Sequence, residues 1–599
     1  MLQDTLHAGR AWRGVVRSAS RAAIIGGPVF GALLAVAAAG SQRPILGPAD
    51  LPLLWLYFCL PAAISLFVLE LVAAGAATAL AGFRGARSGF AVGAALLVGL
   101  PVIVYVALIW WSGRTGDRFW EDVVFLAFAM ATGLLVAWLG GLVSLAGIIG
   151  RTGEVPHRKR RLVGSVALVL IPLSLVLLIA RGLFDRGVGS PPPDFDVDSD
   201  GARLLLVGLD GMDANLLQAL DSRDAVPGLL GAMERGSTFP LHRDPDYQPP
   251  EAWTTLVTGV PPAEHGVRGV GAEQLPGVRT PLRHDASPVS LLGALGLLLP
   301  SRTVPVSGAS REVRTLWEIV ALAEPSMAVG WWASWPAPEE EQKAGASNTS
   351  YVVTDRVLPK LLSGAVADRD TAPASLYSRL RGEFEIDRSQ IRDRFDLLFE
   401  RHPEGQVHRL LWESYLIDAY SWKIAARLMA DTGIRAGFVY LPGLDILRQR
   451  LGSVSAAEDP AGLLRSQAAL EDYAGFLDEI VASALDLQEG LQVVLVADPG
   501  RRGHLDAEGF VTVLGSHATE ACVGKPLSDL EVTPLVLRLL GFPMSEEMPG
   551  RPPRECLIEL PADPATVPGY GRRSPRLDSP ASDYDPEMVE RLRSLGYLN

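Results

Sequence analysis

The chain has 599 residues, too many for one ordinary domain, and a formal net charge of −13 at pH 7, which excludes a nucleic-acid role that depends on a basic face. A hydrophobic fraction of 48% is high for a chain with 20% charged residues, because two unlike halves are being averaged. Residues 22–183 are mostly apolar with few Lys, Asp or Glu; the remainder reads as a mildly acidic globular protein.

Five stretches reach or approach the roughly 20 apolar residues that a spanning helix needs: Ala22–Gly40, Leu51–Ala74, Phe90–Trp111, Val123–Ile149 and Val163–Ile179. Four of them follow the first, so it is not read as a signal peptide. Trp110, Trp111 and Trp120 fall near span boundaries, as an aromatic belt requires. Basic residues gather in alternate flanks: Arg10, Arg13, Arg17 and Arg21; Arg84 and Arg87; Arg151, Arg158, Lys159, Arg160 and Arg161. The opposite flanks mix Arg43, Arg114, Arg118 and Arg186 with Asp50, Asp117, Glu121 and Asp122. The basic side is expected to be cytoplasmic. An odd span count then puts everything after about Phe184 outside, giving a multi-pass protein of the cytoplasmic (inner) membrane with an extracytoplasmic or periplasmic domain. Glu70 is the only Asp, Glu, Lys or His inside a proposed span, and it reads as a packing or interfacial group rather than part of a transport path.

The composition divides the chain into a transmembrane region of about five helices at 1–185, a linker at 186–201, an α/β domain at 202–561, and an acidic, proline-rich tail at 562–599 with a last helix at Pro586–Leu598. The linker contains GVGSPPPDFDVDSD, which has no periodicity. Three apolar runs in the domain end in aspartate: RLLLVGLD to Asp210, AGFVYLPGLD to Asp445 and LQVVLVAD to Asp498. Helical segments such as Leu410–Asp431 and Leu463–Leu487 lie between them, so a mostly parallel central sheet covered on both faces is expected. Ligands of such sheets bind beyond the carboxyl ends of the strands, where the three aspartates would converge. A single aspartate there is a turn or cap; three favour metal or substrate binding. The segment PPEAWTTLVTGVPPAEHGV predicts a helix at Glu251–Val257 whose N-terminus attracts anions. Cys59 lies in an apolar run, and Cys522 with Cys556 form either one disulfide, if the domain is exported, or two free thiols.

Taken in order, LLLVGLDGMD (Leu204–Asp213), PPEAWTTLVTGVPPAEHGV (Pro249–Val267), TLWEIVALAEPSMAVGWWASWPA (Thr315–Ala337), GFVYLPGLD (Gly437–Asp445), VLVADPG (Val494–Gly500), GSHA (Gly515–Ala518) and VTPLVLRLLGFPMSEEMPGRP (Val532–Pro552) resemble the alkaline phosphatase superfamily, nearest its type I phosphodiesterase/nucleotide pyrophosphatase branch. The final RLRSLGYLN also looks like the ending of some relatives. The resemblance implies two divalent cations, zinc or manganese, held by Asp and His, with a Ser or Thr between them that attacks phosphorus. It places Asp210, Asp445, Asp498 and His517 as metal ligands. Three positions depart from it. Pro249 stands where the nucleophile belongs, Gln449 replaces the histidine after Asp445, and Pro499 replaces the histidine after Asp498. Thr254 and Thr255 are weak substitutes for the nucleophile, and His504 is a candidate for the vacant histidine. Gln449 could serve a single Mg or Ca ion, and no cation at all is the other outcome.

Two functions follow from the resemblance. With the site degenerate, the domain binds rather than cleaves, its ligand a phosphorylated lipid, a glycan or an envelope protein. With the site completed by other groups, it is a divergent phosphoric-ester hydrolase or transferase on envelope lipids or glycans, a layout similar to lipoteichoic acid synthases and phosphoethanolamine transferases. A structural subunit of an envelope complex is the third reading. The insert Ser347–Leu410 is expected to cap the cleft.

Overall fold

Every residue of Leu204–Asp210 (β1) is buried in a computed structural model of the chain. The structure describes residues 2–41, 50–81, 87–112, 119–152, 190–198, 202–278, 281–283, 301–311, 313–338, 350–431, 433–455, 460–502, 508–558, 560, 565–573 and 582–598. The chain divides into two compact units: residues 1–187 with 272–303 and 577–579, and residues 188–271 with 304–576 and 580–599.

Among its described residues the first unit contains four long helices, α1 (Leu2–Ser41), α2 (Asp50–Ala81), α3 (Arg87–Ser112) and α4 (Phe119–Thr152). Among the described residues only Pro52–Ala77, within α2, is both long and apolar enough to cross a membrane; Val92–Val104 and Met130–Ser144 are shorter apolar helices. The expectation of five spans is therefore not reproduced. The N-terminal half of α1 carries Arg10, Arg13, Arg17 and Arg21, and the proposed fifth stretch, Val163–Ile179, lies outside the described residues. So do the two ends of the linker, 186–189 and 199–201, and the side chains of Trp110, Trp111 and Trp120. The helices are apolar outward as well as inward: Leu60, Val72, Leu97, Leu100 and Leu134 are all exposed. Glu70 is fully buried and both its carboxylate oxygens lack a hydrogen-bond partner among the described residues. Residues 272–278, assigned by composition to the α/β domain, belong instead to this first unit. Leu275 and Val278 bury among the apolar side chains of the helices, and the Tyr57 hydroxyl donates to the Pro276 carbonyl at 2.8 Å.

The second unit is built on one sheet. Its strands are β1, β2 (Ser237–His242), β3 (Ser326–Val329), β4 (Ser350–Val353), β5 (Thr371–Ala372), β6 (Ala436–Leu441), β7 (Gln492–Asp498), β8 (Gly509–Leu514), β9 (Cys522–Val523) and β10 (Leu527–Ser528). They run in the order β9-β2-β8-β7-β1-β6-β3-β4-β5, with β10 also on β2. The pairs β7–β1, β1–β6, β6–β3 and β3–β4 are parallel; β8 is antiparallel to both its neighbours, and β5 to β4. Side chains of a strand alternate between faces. Accordingly Leu205, Val207 and Leu209 enter one core and Leu204 and Leu206 another. That is why the run shows no polar alternation: both faces are covered.

The first core is filled from α6 (Ser375–Leu398), α7 (Gln406–Asp431), α8 (Gly443–Ser455) and α9 (Pro460–Leu485). The second is filled from α5 (Pro249–Thr258) and α10 (Asp529–Leu539). The insert expected as a cap is instead part of this scaffold. Ser350–Val353 is a parallel strand of the sheet, and Val353, Val357 and Leu361 join the first core. Its SYVV run has the β-branched, aromatic composition of a strand, so the sheet recruits it. The chain ends in α11 (Asp585–Ser594). Cys522 and Cys556 are disulfide-bonded across a sequence separation of 34, which resolves the two alternatives left by spacing.

Candidate functional site

Parallel pairing sets Asp210 at the end of β1 directly beside Asp498 at the end of β7. Asp445 joins them from the first turn of α8, whose N-terminus is held by the Asp418 carboxylate accepting from the Gly443 N–H at 3.0 Å. Gly211 makes the approach possible. Its φ is +91°, and a Cβ there would lie 2.4 Å from the Asp445 nitrogen. All three aspartates are buried.

Among the described residues, the groups that face these carboxylates are guanidinium and phenol. Arg243, just past β2, donates to Asp498 Oδ1 at 2.7 Å and to the Gly500 carbonyl at 3.3 Å. Arg501 donates through Nε to Asp445 Oδ2 at 2.7 Å, and its backbone N–H reaches Asp445 Oδ1 at 2.8 Å. Arg448 on α8 donates to Asp213 Oδ2 at 2.9 Å and to the Gly211 carbonyl. The Tyr440 hydroxyl donates to Asp210 Oδ2 at 2.5 Å and accepts from Trp332 Nε1 at 2.8 Å. Tyr597, from the end of the chain, donates to Asp445 Oδ2 at 3.2 Å. Burial, then the neighbouring Asp445 and Asp498, push the Asp210 carboxyl well above the usual carboxylate range. Burial also raises Asp498, against the opposing pull of Arg243. Asp210 Oδ1 and Asp498 Oδ2 are buried without a hydrogen-bond partner among the described residues.

Pro249 opens α5 at its first turn, and the helix spans Pro249–Thr258 where the sequence predicted Glu251–Val257. A proline suits that position, since the first N–H has no partner inside the helix. It cannot supply a nucleophilic oxygen. Thr255 does not replace it: its hydroxyl donates to the Glu251 carbonyl at 2.9 Å and lies 3.1 Å from His265 Nε2. The Thr254 hydroxyl is buried and, among the described residues, makes no hydrogen bond. Trp253 packs its ring 4.9 Å from Tyr440 and 5.8 Å from Trp331, so the tryptophan of this motif builds the floor behind Asp210.

His517 is the ligand assignment that the structure overturns. β8 runs antiparallel to β7 with Leu514 opposite Val493, so the chain has returned to the amino end of β7 before it reaches His517. There Gln492 bonds Ser516 at 2.8 Å, and His517 Nδ1 lies 3.2 Å from the Ile558 carbonyl. Asp498 is at the other end of a strand some 20 Å long. His504, the alternative weighed from sequence, falls within 503–507, outside the described residues. The flanking Glu508 is at the aspartate end, where its carbonyl accepts from the Ala214 N–H at 3.0 Å. Gln449 lies on α8 one residue past Arg448.

Sequence reading missed Arg243, Arg448, Arg501, Tyr440 and Tyr597. A signal for the arginines was present. Each departure from the metal-binding pattern has an arginine close by in sequence: Arg243 before Pro249, Arg448 beside Gln449, Arg501 after Pro499.

These elements define an α/β domain with acidic residues at the carboxyl ends of parallel strands. Residues 204–502 match the family model described as Type I phosphodiesterase / nucleotide pyrophosphatase. Over those residues the chain thus carries a type I phosphodiesterase / nucleotide pyrophosphatase-like domain. No curated protein sequence matches the chain. Among solved structures it is similar to a 2-O GAG sulfatase, at 12% identity and a TM-score of 0.35, over 59% of this chain and 73% of that one. It is also similar to phosphonoacetate hydrolase from Sinorhizobium meliloti 1021, at 15% identity and a TM-score of 0.29, over 52% and 59%. A third is murine ectonucleotide pyrophosphatase / phosphodiesterase 5, at 11% identity and a TM-score of 0.30, over 59% and 100%. Likenesses this loose establish nothing about activity; the fold rests on the sheet topology and the family match.

Members of the superfamily use divalent metal ions, so the residues present must be tested against them. The described residues do not fit a two-cation site. Zinc takes three or four N, S or O ligands. Among the described residues no group of three or more His, Cys, Asp or Glu is placed to hold a metal. Two of the three aspartates already carry a guanidinium.

Proposed function

We propose that this is a membrane-anchored, phosphodiesterase-like protein whose α/β domain binds rather than cleaves, at the outer face of the cytoplasmic membrane. One observation carries the reading: the arginines occupy the carboxylates that would hold cations. Arg243 on Asp498 and Arg501 on Asp445 supply positive charge from the chain itself, and Pro249 stands at the nucleophile position. Removing metal and nucleophile together takes away the main sources of rate in this chemistry. The outward-facing leucines and valines of α2, α3 and α4 and the span-length helix Pro52–Ala77 support anchoring in lipid. The alternation of basic flanks supports an outward domain, as does the disulfide, since disulfides persist in oxidising compartments. The ligand class is a phosphorylated lipid, glycan or envelope protein.

A second reading, a divergent hydrolase with one cation, is favoured by Asp210 Oδ1 and Asp498 Oδ2, two buried oxygens on adjacent strands without partners among the described residues. Elemental analysis and phosphodiester turnover of the full chain in detergent separate the two. The binding reading expects no stoichiometric metal and no turnover above that of Asp210→Ala. One or two divalent cations per chain, with turnover abolished by Asp210→Ala, would overturn it. Protease accessibility of the C-terminal domain in intact spheroplasts tests the orientation, and protection there would refute it.

A further inference from the structure

We propose that the cleft over the strand ends is a peptide-binding site whose resident ligand is the chain's own C-terminal segment, Asp585–Leu598. The inference rests on the non-catalytic reading of the same site and names its ligand. The segment enters through a buried ion pair: Asp585 Oδ1 accepts from Arg356 at 2.8 Å. Helix α11 then lays Met588 and Leu592 beside Val270, in a small apolar cluster separate from the two cores that sandwich the sheet. The helix is stopped by Gly596, at φ +78°. Its N–H donates to the Arg593 carbonyl at 2.9 Å, and the Tyr597 N–H to the Leu592 carbonyl at 2.8 Å. That pair of bonds is a Schellman turn, a left-handed stop that glycine adopts without strain.

The turn carries Tyr597 into the carboxylate cluster. Its hydroxyl donates to Asp445 Oδ2 at 3.2 Å, the Arg501 guanidinium stacks 3.6 Å from its ring centre, and Trp332 meets its face at 5.0 Å. A phenol with a hydrogen bond below, a cation above and an aromatic edge beside it is held as a bound ligand is held. The Arg501 side chain joins the two halves of the site, because the same guanidinium serves Asp445 and stacks on Tyr597.

The fit is incomplete. A cavity of about 90 Å³ remains, lined by Tyr420, Thr354, Tyr440, Leu595 and Tyr597 among others. The Tyr420 hydroxyl and Thr354 Oγ1 are buried there without a partner among the described residues. Pockets for ordinary ligands have roughly 300–1,000 Å³. A ligand from outside therefore enters only when the segment leaves, and it competes with Tyr597 for Asp445 and Arg501.

The test uses the full chain in detergent and a fluorescent synthetic peptide spanning Asp585–Asn599. A chain truncated after Tyr584 is expected to bind the peptide saturably, and the full chain at least ten-fold more weakly, since its own segment is in place. Tyr597→Ala in the peptide, or Arg501→Ala in the truncated chain, should each weaken binding at least ten-fold. No saturable binding to a truncated chain that still melts cooperatively overturns the proposal, as does equal binding to the full and truncated chains. If truncation prevents folding, amide exchange in the intact chain decides. Tyr597→Ala should strip protection from 585–598 while leaving β1 and β7 protected, and unchanged protection of the segment overturns the proposal. Phosphodiester turnover by the truncated chain would sink the non-catalytic reading without altering the peptide result, so the two failures are distinguishable.

Discussion

Arg243→Ala isolates the claim that guanidinium has taken over the charge balance of the site. Asp498 is fully buried, and Arg243 is 13% exposed. Without the arginine, among the described residues Asp498 keeps only the Gly500 N–H, at 2.8 Å, and its second oxygen stays without a partner. Breaking a buried pair from one side costs about 3–5 kcal/mol. The partial exposure of Arg243 lets water replace some of its contacts, so the low end, about 3 kcal/mol, is expected. A unit of roughly 400 residues unfolds with an entropy near 0.8 kcal/mol/K, and the melting temperature should fall by about 4 °C. Differential scanning calorimetry at pH 7.5 reads this directly. Arg243→Ala combined with Asp498→Asn should recover at least half of the loss, because the orphaned charge is then gone. A fall of less than about 1 °C, or no recovery in the double variant, would show that the pair is incidental, and the reasoning would be wrong.

Titrating Zn, Mn, Mg or Ca into the full chain should leave the melting temperature unchanged within about 1 °C, since a ligand that binds only the folded state at a hundred times its Kd adds about 2.7 kcal/mol; a rise of several degrees would restore the cation reading. Gly211→Ala should destabilise by about 2 kcal/mol or more, because the new Cβ meets the Asp445 nitrogen at 2.4 Å in a left-handed backbone, and an unchanged unfolding midpoint in urea would contradict the packing described. Reducing the Cys522–Cys556 bond releases a loop whose closure across 34 residues is worth roughly 3–4 kcal/mol, so dithiothreitol should lower the melting temperature by several degrees. Arg311 and the Thr315 N–H hold the buried Glu318 carboxyl down to about 2, against burial, which raises it. A depressed carboxyl gives stability that is complete above its unfolded value and is lost as pH falls through the folded one. Wild type should therefore lose stability relative to Glu318→Gln between about pH 5 and pH 2, and parallel acid unfolding curves would count against this.

The fold was legible where the chemistry is local. Apolar runs closed by Asp210 and Asp498, and the proline-led helix after Pro249, follow from burial on two faces and from helix-start rules, and they stand within a few residues of the prediction. His517 was misplaced because a short motif carries no record of strand direction: only the antiparallel return of β8 reveals which end of the sheet it reaches. Arg243, Arg501 and Tyr597 were missed for a related reason. They come from a loop, a 3-10 turn and the last residues of the chain, and no spacing rule links them. The cap expected of Ser347–Leu410 failed because a short strand-forming run at the margin of an insert cannot be told from a loop until the sheet that accepts it is known.

The sheet has a further consequence at its margins. Its outermost strands, β5 and β9, are two residues long, and β2 is paired at one end by β9 and at the other by β10. Long free edges invite strand addition by a neighbouring chain. Among the described residues this sheet leaves only short stretches of unpaired edge, a poor template for edge-to-edge addition by a neighbouring copy.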